Sequence, residues 1–209
     1  MMINEIFYSL QGEGIQIGVP TTFIRTTGCN LRCSWCDTKY AYEEGSEKSI
    51  KEIMGEVKGF PTNHICITGG EPMLQKDAIK LIEKLGDEGY EVCLETNGSQ
   101  SVQEIPSLDF LMISLDIKCP SSGMHTEMEL SNFKLLRPND QLKFIIDDLN
   151  DYEYAKDIIA GYNPICTIIM MPVGGKELRN LAEWVLSDRL KVRVLPQLHK
   201  LIWGEKRGV

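Results

Sequence analysis

Hydrophobic and polar positions follow two periods along this chain. Short β-branched and apolar runs, bounded by polar or glycine-rich residues, predict strands near Thr22–Arg25, His64–Thr68, Glu91–Glu95, Phe110–Leu115, Gln141–Ile146, Cys166–Met171 and Lys191–Leu195. Between them, apolar residues recur at three- and four-residue spacing. That period predicts helices over Ser49–Val57, Asp77–Glu88, Tyr152–Ala160 and Lys176–Leu186. In the second helix Ala78, Leu81, Ile82 and Leu85 fall on one face. Strands alternating with helices predict a mostly parallel α/β sheet. The connections after the third and fourth strands are too short for long crossover helices, and 209 residues cannot hold eight full units. The expected fold is therefore an abbreviated, open partial (β/α) barrel, built as one domain over residues 1–209.

Parallel sheets assemble their sites at the carboxyl ends of the strands, where the loops converge. The unusual residues of this chain sit at those ends. A cysteine-rich loop follows the first predicted strand, Gly69-Gly70-Glu71-Pro72 the second, and Thr96-Asn97-Gly98 the third. Ser114 to Lys118 closes the fourth, and Pro196-Gln197-Leu198-His199 follows the seventh. That rim is the expected active site.

The cysteine loop, Cys29-Asn30-Leu31-Arg32-Cys33-Ser34-Trp35-Cys36, has the spacing CxxxCxxC. Three thiolates can hold three irons of a 4Fe–4S cluster and leave the fourth iron open, whereas an electron-transfer cluster has four cysteine ligands. The open iron suits chelation by the methionine end of S-adenosylmethionine (SAM), the signature of radical SAM chemistry. The competing metal reading is structural zinc, with His64 or Cys66 as fourth ligand; zinc sites usually pair two short ligand couples, and no second couple exists here. Cys66, Cys93 and Cys166 lie in apolar runs, where free cysteine behaves as a small buried hydrophobe. Gly69 and Gly70 let the backbone approach a ligand, here the methionine amino group. They lack the Gly-Lys-Ser/Thr ending of a phosphate loop. Ser114, Asp116 and Lys118 alternate on a strand end within reach of a ribose or carboxylate, and Trp35 borders the nucleoside.

Composition narrows the setting. Net charge is −8 and the pI is about 5.0, the wrong sign for a protein that tracks a phosphate backbone, so nucleic acid is not the direct substrate. Lys206 and Arg207 read as a solvated tail. Met1 to Leu10 lacks the pattern of a signal peptide, and the longest apolar run, Ile168 to Val173, is too short to span a bilayer. Seven cysteines, an odd number, with a metal-binding triplet point to the reducing cytoplasm.

With these residues assembled, the chain resembles the 7-carboxy-7-deazaguanine synthases of the radical SAM superfamily nearly end to end. The resemblance runs through Phe7-Tyr8-Ser9-Leu10-Gln11-Gly12-Glu13-Gly14, Phe23-Ile24-Arg25-Thr26-Thr27-Gly28-Cys29, Trp35-Cys36-Asp37-Thr38, Thr68-Gly69-Gly70-Glu71-Pro72 and Leu94-Glu95-Thr96-Asn97-Gly98. It ends on Val194-Leu195-Pro196-Gln197-Leu198-His199 and Trp203-Gly204-Glu205-Lys206-Arg207-Gly208-Val209. The resemblance implies a Mg²⁺-dependent radical lyase that contracts 6-carboxy-5,6,7,8-tetrahydropterin to 7-carboxy-7-deazaguanine and ammonia, within 7-deazapurine (queuosine- or archaeosine-type) biosynthesis. It implies that SAM is regenerated, that a flavodoxin or ferredoxin donates electrons, and that the enzyme is a homodimer.

Roles follow from the same resemblance. Leu10, Gln11, Gly12 and Glu13 match the segment that holds the pterin, and Arg25 matches an arginine for its carboxylate. Thr68, His199 and Val209 also match substrate contacts, the last two on a tail that folds over the pocket. Thr38 matches the Mg²⁺ ligand. Trp35, Cys36, Asp37 and Gly70 flank SAM, together with the strand end at Ser114, Asp116 and Lys118. Many relatives read Ser-Pro-Lys-Pro-Pro-Ser there, and the two extra residues of this chain leave open which of the three contacts SAM. The nearest rival is a glycyl-radical activating enzyme, and a rival of another class is a non-catalytic iron–sulfur or zinc module.

Overall fold

The structure, a computed structural model, describes residues 1–175 and 178–209. Its nine strands are β1 (Met2–Leu10), β2 (Pro20–Thr26), β3 (Ser46–Glu47), β4 (His64–Gly69), β5 (Glu91–Thr96), β6 (Leu111–Lys118), β7 (Gln141–Ile146), β8 (Thr167–Pro172) and β9 (Arg193–Val194). They form one open sheet in the order β3-β1-β2-β4-β5-β6-β7-β8-β9. From β2 to β9 every neighbouring pair is parallel, so the seven expected strands form a parallel run with their carboxyl ends on one rim. Sequential neighbours joined in this way give the open partial barrel that the spacing predicts.

Helices α1 (Ile50–Val57), α2 (Ala78–Asp87), α3 (Leu149–Tyr162) and α4 (Leu178–Ser187) cover the convex face, and a short α5 (Leu198–Trp203) lies in the tail. Ser49 caps α1 in a reciprocal box with Glu52, satisfying two otherwise unpaired backbone donors. In α2 the expected face, Ala78, Leu81, Ile82 and Leu85, is buried. Removing each large side chain of such a face from water contributes about 1.5–3 kcal/mol. The expected start of the fourth helix, Lys176 and Glu177, lies outside the described residues. Between β5 and β6 there is no helix, and between β6 and β7 there are only 3₁₀ turns, as the short connections require.

β1 is a strand that the pattern did not reveal. It pairs antiparallel with β2, stacking Phe7 on Phe23 at 4.9 Å. A register shift between Ile3 and Glu5 breaks its alternation, which hides the period of 2 that marks a strand. The fourth expected strand runs on to Lys118, so Asp116 and Lys118 are strand residues. β7 is buried along its whole length, Gln141 and Lys143 included. Its Leu142, Phe144 and Ile146 pack in the helix-side core, which by alternation turns Gln141 and Lys143 to the barrel interior.

Candidate active site

β2 delivers the chain to Gly28 and then to the cysteine loop. Cys29, Cys33 and Cys36 are half-buried free thiols that line one cavity at the carboxyl rim, while the other four cysteines are buried in the core. The Cys29 sulfur accepts contacts from the Leu31 backbone N–H at 3.4 Å and from Asn97 Nδ2 at 3.6 Å. Arg32 ties the loop to itself by donating to the carbonyls of Cys29 and Leu31, both at 2.8 Å. The Gly-Gly turn packs directly beneath. A Cβ on Gly70 would lie 2.1 Å from the Gly28 carbonyl oxygen, so only glycine lets these two loops meet. The neighbouring Glu71 is fully buried and accepts from Asn97 N at 2.6 Å, Met73 N at 2.9 Å and Thr96 Oγ1 at 2.8 Å. Burial pushes its carboxyl up, and those hydrogen bonds offset part of the cost while locking the loops after β4 and β5 together.

The cavity holds about 1100 Å³ of empty space, its open mouth included. Of the expected substrate residues, Leu10, Gln11, Glu13, Arg25, Thr68, His199 and Val209 all line it. So do Trp35, Cys36, Asp37, Thr38, Gly70, Asp116 and Lys118. Two expected residues do not. Ser114 is fully buried and its hydroxyl accepts from Gln141 Nε2 at 2.8 Å, so the strand end meets the cavity through Asp116 and Lys118. Gly12 supports the tail instead: its carbonyl accepts from Leu198 N at 2.9 Å, and a Cβ there would lie 2.1 Å from His199 Nδ1. Gly12→Ala is therefore expected to displace His199. Overpacking costs about 1–3 kcal/mol, which corresponds to roughly a 5–150-fold rise in KM, with iron content unchanged; an unaltered KM would refute the contact.

Arg25 sits on the wall beside the cysteine loop. Its Nε donates to Glu5 Oε1 at 2.9 Å, and its guanidinium lies over the rings of Phe7 at 5.6 Å and Tyr40 at 5.9 Å. Among the described residues its hydrogen bonding ends at that Nε contact, which leaves both terminal nitrogens for a ligand. Tyr40 donates to the same Glu5 oxygen at 3.1 Å, and burial pushes its hydroxyl up to about 12, so it stays a neutral donor. Arg207 completes the group. Its guanidinium lies 3.9 Å above the Tyr40 ring and pairs with Glu44 at 2.7 Å and Glu5 at 3.5 Å. This corrects the reading of Arg207 as a solvated residue: it pins the tail, with Val209 reaching the cavity. Lys200 adds a second tie, 3.3 Å from Asp37.

Sequence reasoning missed the charged floor of the cavity. Lys143, on β7, is 1% exposed and faces Glu13, Asp116 and Glu95. Burial alone would push the Glu13 carboxyl up, but the Lys143 ammonium and a hydrogen bond from Gln197 hold it down at about 2. Burial pushes Glu95 up, and Lys143 opposes that rise. The signal existed: a lysine inside Gln141-Leu142-Lys143-Phe144-Ile145-Ile146 needs a buried partner as much as Arg25 does.

The donor set fits an iron–sulfur cluster with one open iron: three thiols on one loop facing a cavity, with N–H groups turned toward the Cys29 sulfur. It does not fit the zinc alternatives. His64 begins β4, at the opposite end of the strand, about 17 Å from the rim. Cys66 lies within 4.8 Å of Cys93 and Glu95, in a group that includes none of the loop cysteines.

Comparison with known proteins agrees with this geometry. The family model of the radical SAM superfamily matches residues 23–175. The 7-carboxy-7-deazaguanine synthase of Thermoplasma acidophilum is 39% identical over 209 residues, covering 100% of both chains. That of Chlorobaculum tepidum is 42% identical over 214 residues, covering 99% of this chain and 96% of its own. Among solved structures, QueE from Escherichia coli superposes with a TM-score of 0.78 at 23% identity, covering 92% of each chain. No helix among the described residues is long and apolar enough to cross a membrane. Three cysteines on the rim of an open parallel barrel, and full-length relatives of one kind, place this chain in the 7-carboxy-7-deazaguanine synthase family of radical SAM enzymes.

Proposed function

We propose that this chain, acting as one domain over residues 1–209, converts 6-carboxy-5,6,7,8-tetrahydropterin to 7-carboxy-7-deazaguanine and ammonia in 7-deazapurine biosynthesis. The observation that carries the reading is convergence: the cysteine triplet, Arg25, Gln11, Glu13 and the tail residues His199 and Val209 all open on one cavity. Cys29, Cys33 and Cys36 would hold a 4Fe–4S cluster, which would supply the electron for reductive cleavage of SAM with release of methionine. The residues of the chain do the rest by position. Trp35, Asp37, Gly70, Asp116 and Lys118 hold SAM against the triplet, and the Lys118 ammonium lies 5.5 Å from the Trp35 ring centre. The two terminal nitrogens of Arg25 take the substrate carboxylate as a fork, while Gln11, Glu13 and Thr68 hold the ring. The tail pinned by Arg207 and Lys200 covers the pocket and excludes water. The electron donor is a flavodoxin or ferredoxin, the working form a homodimer, and the setting the reducing cytoplasm, which suits seven free thiols.

Anaerobic protein reconstituted with iron and sulfide, then given the carboxytetrahydropterin, SAM and reductant, is expected to yield 7-carboxy-7-deazaguanine and ammonia by mass spectrometry. SAM cleavage without that product would defeat the proposal.

Mg²⁺ belongs to the same proposal, with Thr38 as its protein ligand. Thr38 precedes a 3₁₀ turn over Lys39–Tyr42 but makes no capping bond with its side chain; its hydroxyl donates to Asp37 Oδ1 at 2.8 Å. A neutral hydroxyl is a weak ligand, so substrate oxygens and water must complete the shell. Thr38→Ala is expected to flatten the dependence of turnover on Mg²⁺ concentration. Equal Mg²⁺ activation in wild type and variant would remove Thr38 from the site.

A further inference from the structure

Lys143 Nζ lies 2.8 Å from Glu13 Oε2, 3.1 Å from Asp116 Oδ1 and 3.6 Å from Glu95 Oε1. The three carboxylates come from three places: the loop after β1, β5 and β6. Lys118 faces the same group from β6, Cys66 from β4, Cys33 from the cysteine loop and His199 from α5. Without Lys143, Asp116 would keep Lys118 as an ion-pair partner, whereas Glu13 and Glu95 would lose their ammonium.

Glu13 is the joint of this arrangement. One oxygen is on Lys143, and the other accepts from Gln197 Nε2 at 2.7 Å. Gln197 immediately precedes α5, whose first residue, Leu198, donates its backbone N–H to the Gly12 carbonyl. A chain of contacts thus runs from β7, buried along its whole length, through the substrate loop into the tail. We infer that Lys143 is a positioning residue of the reaction, whose buried ammonium fixes the Glu13 carboxylate between the substrate loop and the C-terminal tail. The inference rests on the pterin reading above. Electrostatics agree with the geometry. Burial works against the charge on Lys143, but Asp116, Glu13 and Glu95 outweigh it, and the ammonium in turn keeps Glu13 ionised.

Lys143→Met keeps the apolar stem and removes the charge. Wild type and variant, both loaded with cluster under anaerobic conditions, are compared for pterin turnover and for thermal unfolding from about pH 6 to about pH 9. Near neutrality the variant is expected to lose about 10–150-fold in kcat/KM. Without the ammonium, burial is left to push the Glu13 and Glu95 carboxyls up, which spoils Glu13 as an acceptor. Raising the pH ionises them again, so the activity ratio of variant to wild type climbs with pH. Stability moves the other way. Groups whose folded pKa is raised contribute stability that is present below the unfolded value and lost as pH rises through the folded one, so the melting deficit widens with pH. A packing defect alone would not produce these opposed slopes. Lys143→Met combined with Glu13→Gln is expected to lose no more activity than the worse single variant, because both act through one contact. A pH-independent activity ratio with a constant melting deficit, or fully multiplicative losses in the pair, overturns the inference. Wild-type turnover in the same assay decides the pterin reading separately; should wild type make no product, that reading and the positioning role fall together, and the melting profiles still decide whether the Lys143 ammonium holds the carboxylates charged.

Discussion

Replacing Cys29, Cys33 or Cys36 by serine is expected to remove the cluster and all turnover, because in the proposed site each thiolate is one of only three protein ligands and a hydroxyl is a poor substitute on iron. Iron content, the brown colour and reductive SAM cleavage should fall together in each variant. The instructive controls are the remaining four cysteines, all buried. Cys66 and Cys93 meet across β4 and β5, and with Glu95 they form a group whose ligand atoms lie within 4.8 Å of one another. Their surroundings explain them without a metal: Phe23 lies across from Cys66 and Met112 across from Cys93, all four in one small buried cluster. Alanine at Cys66, Cys93, Cys119 or Cys166 avoids burying a new hydroxyl and should leave iron near four per chain, at a stability cost of about 1–2 kcal/mol or less. Loss of iron in any of these four would show that the open-iron arrangement on the loop is wrong.

Truncating Arg25 is expected to give the next largest effect. A hydrogen bond to a charged group contributes about 1.5–3 kcal/mol, so Arg25→Ala should lower kcat/KM by about 10–150-fold while iron content stays near wild type. Arg25→Lys should recover little. Lysine has no Nε to hold Glu5, and its ammonium offers a point charge where the proposed pose needs a planar fork for the substrate carboxylate. The ion pair with Glu5 sharpens the test, because it separates orientation from contact. Glu5→Gln keeps an acceptor for Arg25 and Tyr40 but removes the charge, so it should cost less than Arg25→Ala. Equal losses in the two variants, together with a lower melting temperature in Arg25→Ala, would make Arg25 a structural ion pair.

The chemistry of the chain was legible early because it is local. Cys29, Cys33 and Cys36 sit within eight residues, and CxxxCxxC constrains its ligands in any fold. The seven parallel strands were legible because each is a short apolar run ended by glycine, proline or a polar cluster, a pattern that burial on both faces produces directly. β1 was not, because it is half-exposed, antiparallel and interrupted by a register shift; pairing with β2 identifies it.

What the tertiary structure alone decided is which distant side chains meet. Ser114 and Asp116 are equivalent candidates in sequence, yet Ser114 is sealed under Gln141 and Asp116 reaches the cavity. Gly12, an expected ligand contact, is a seat for His199, 187 residues along the chain. The ammonium of Lys143 and the carboxylates of Glu13, Glu95 and Asp116 carry no shared motif, because their partnership depends on four elements being stacked in one order with one register. Sequence determines the cluster loop, the parallel fold and the family, since those follow from short-range spacing and hydrophobic period. The charged floor and the pinned tail follow from burial, which forces each enclosed charge to find whatever opposite charge the topology brings within reach.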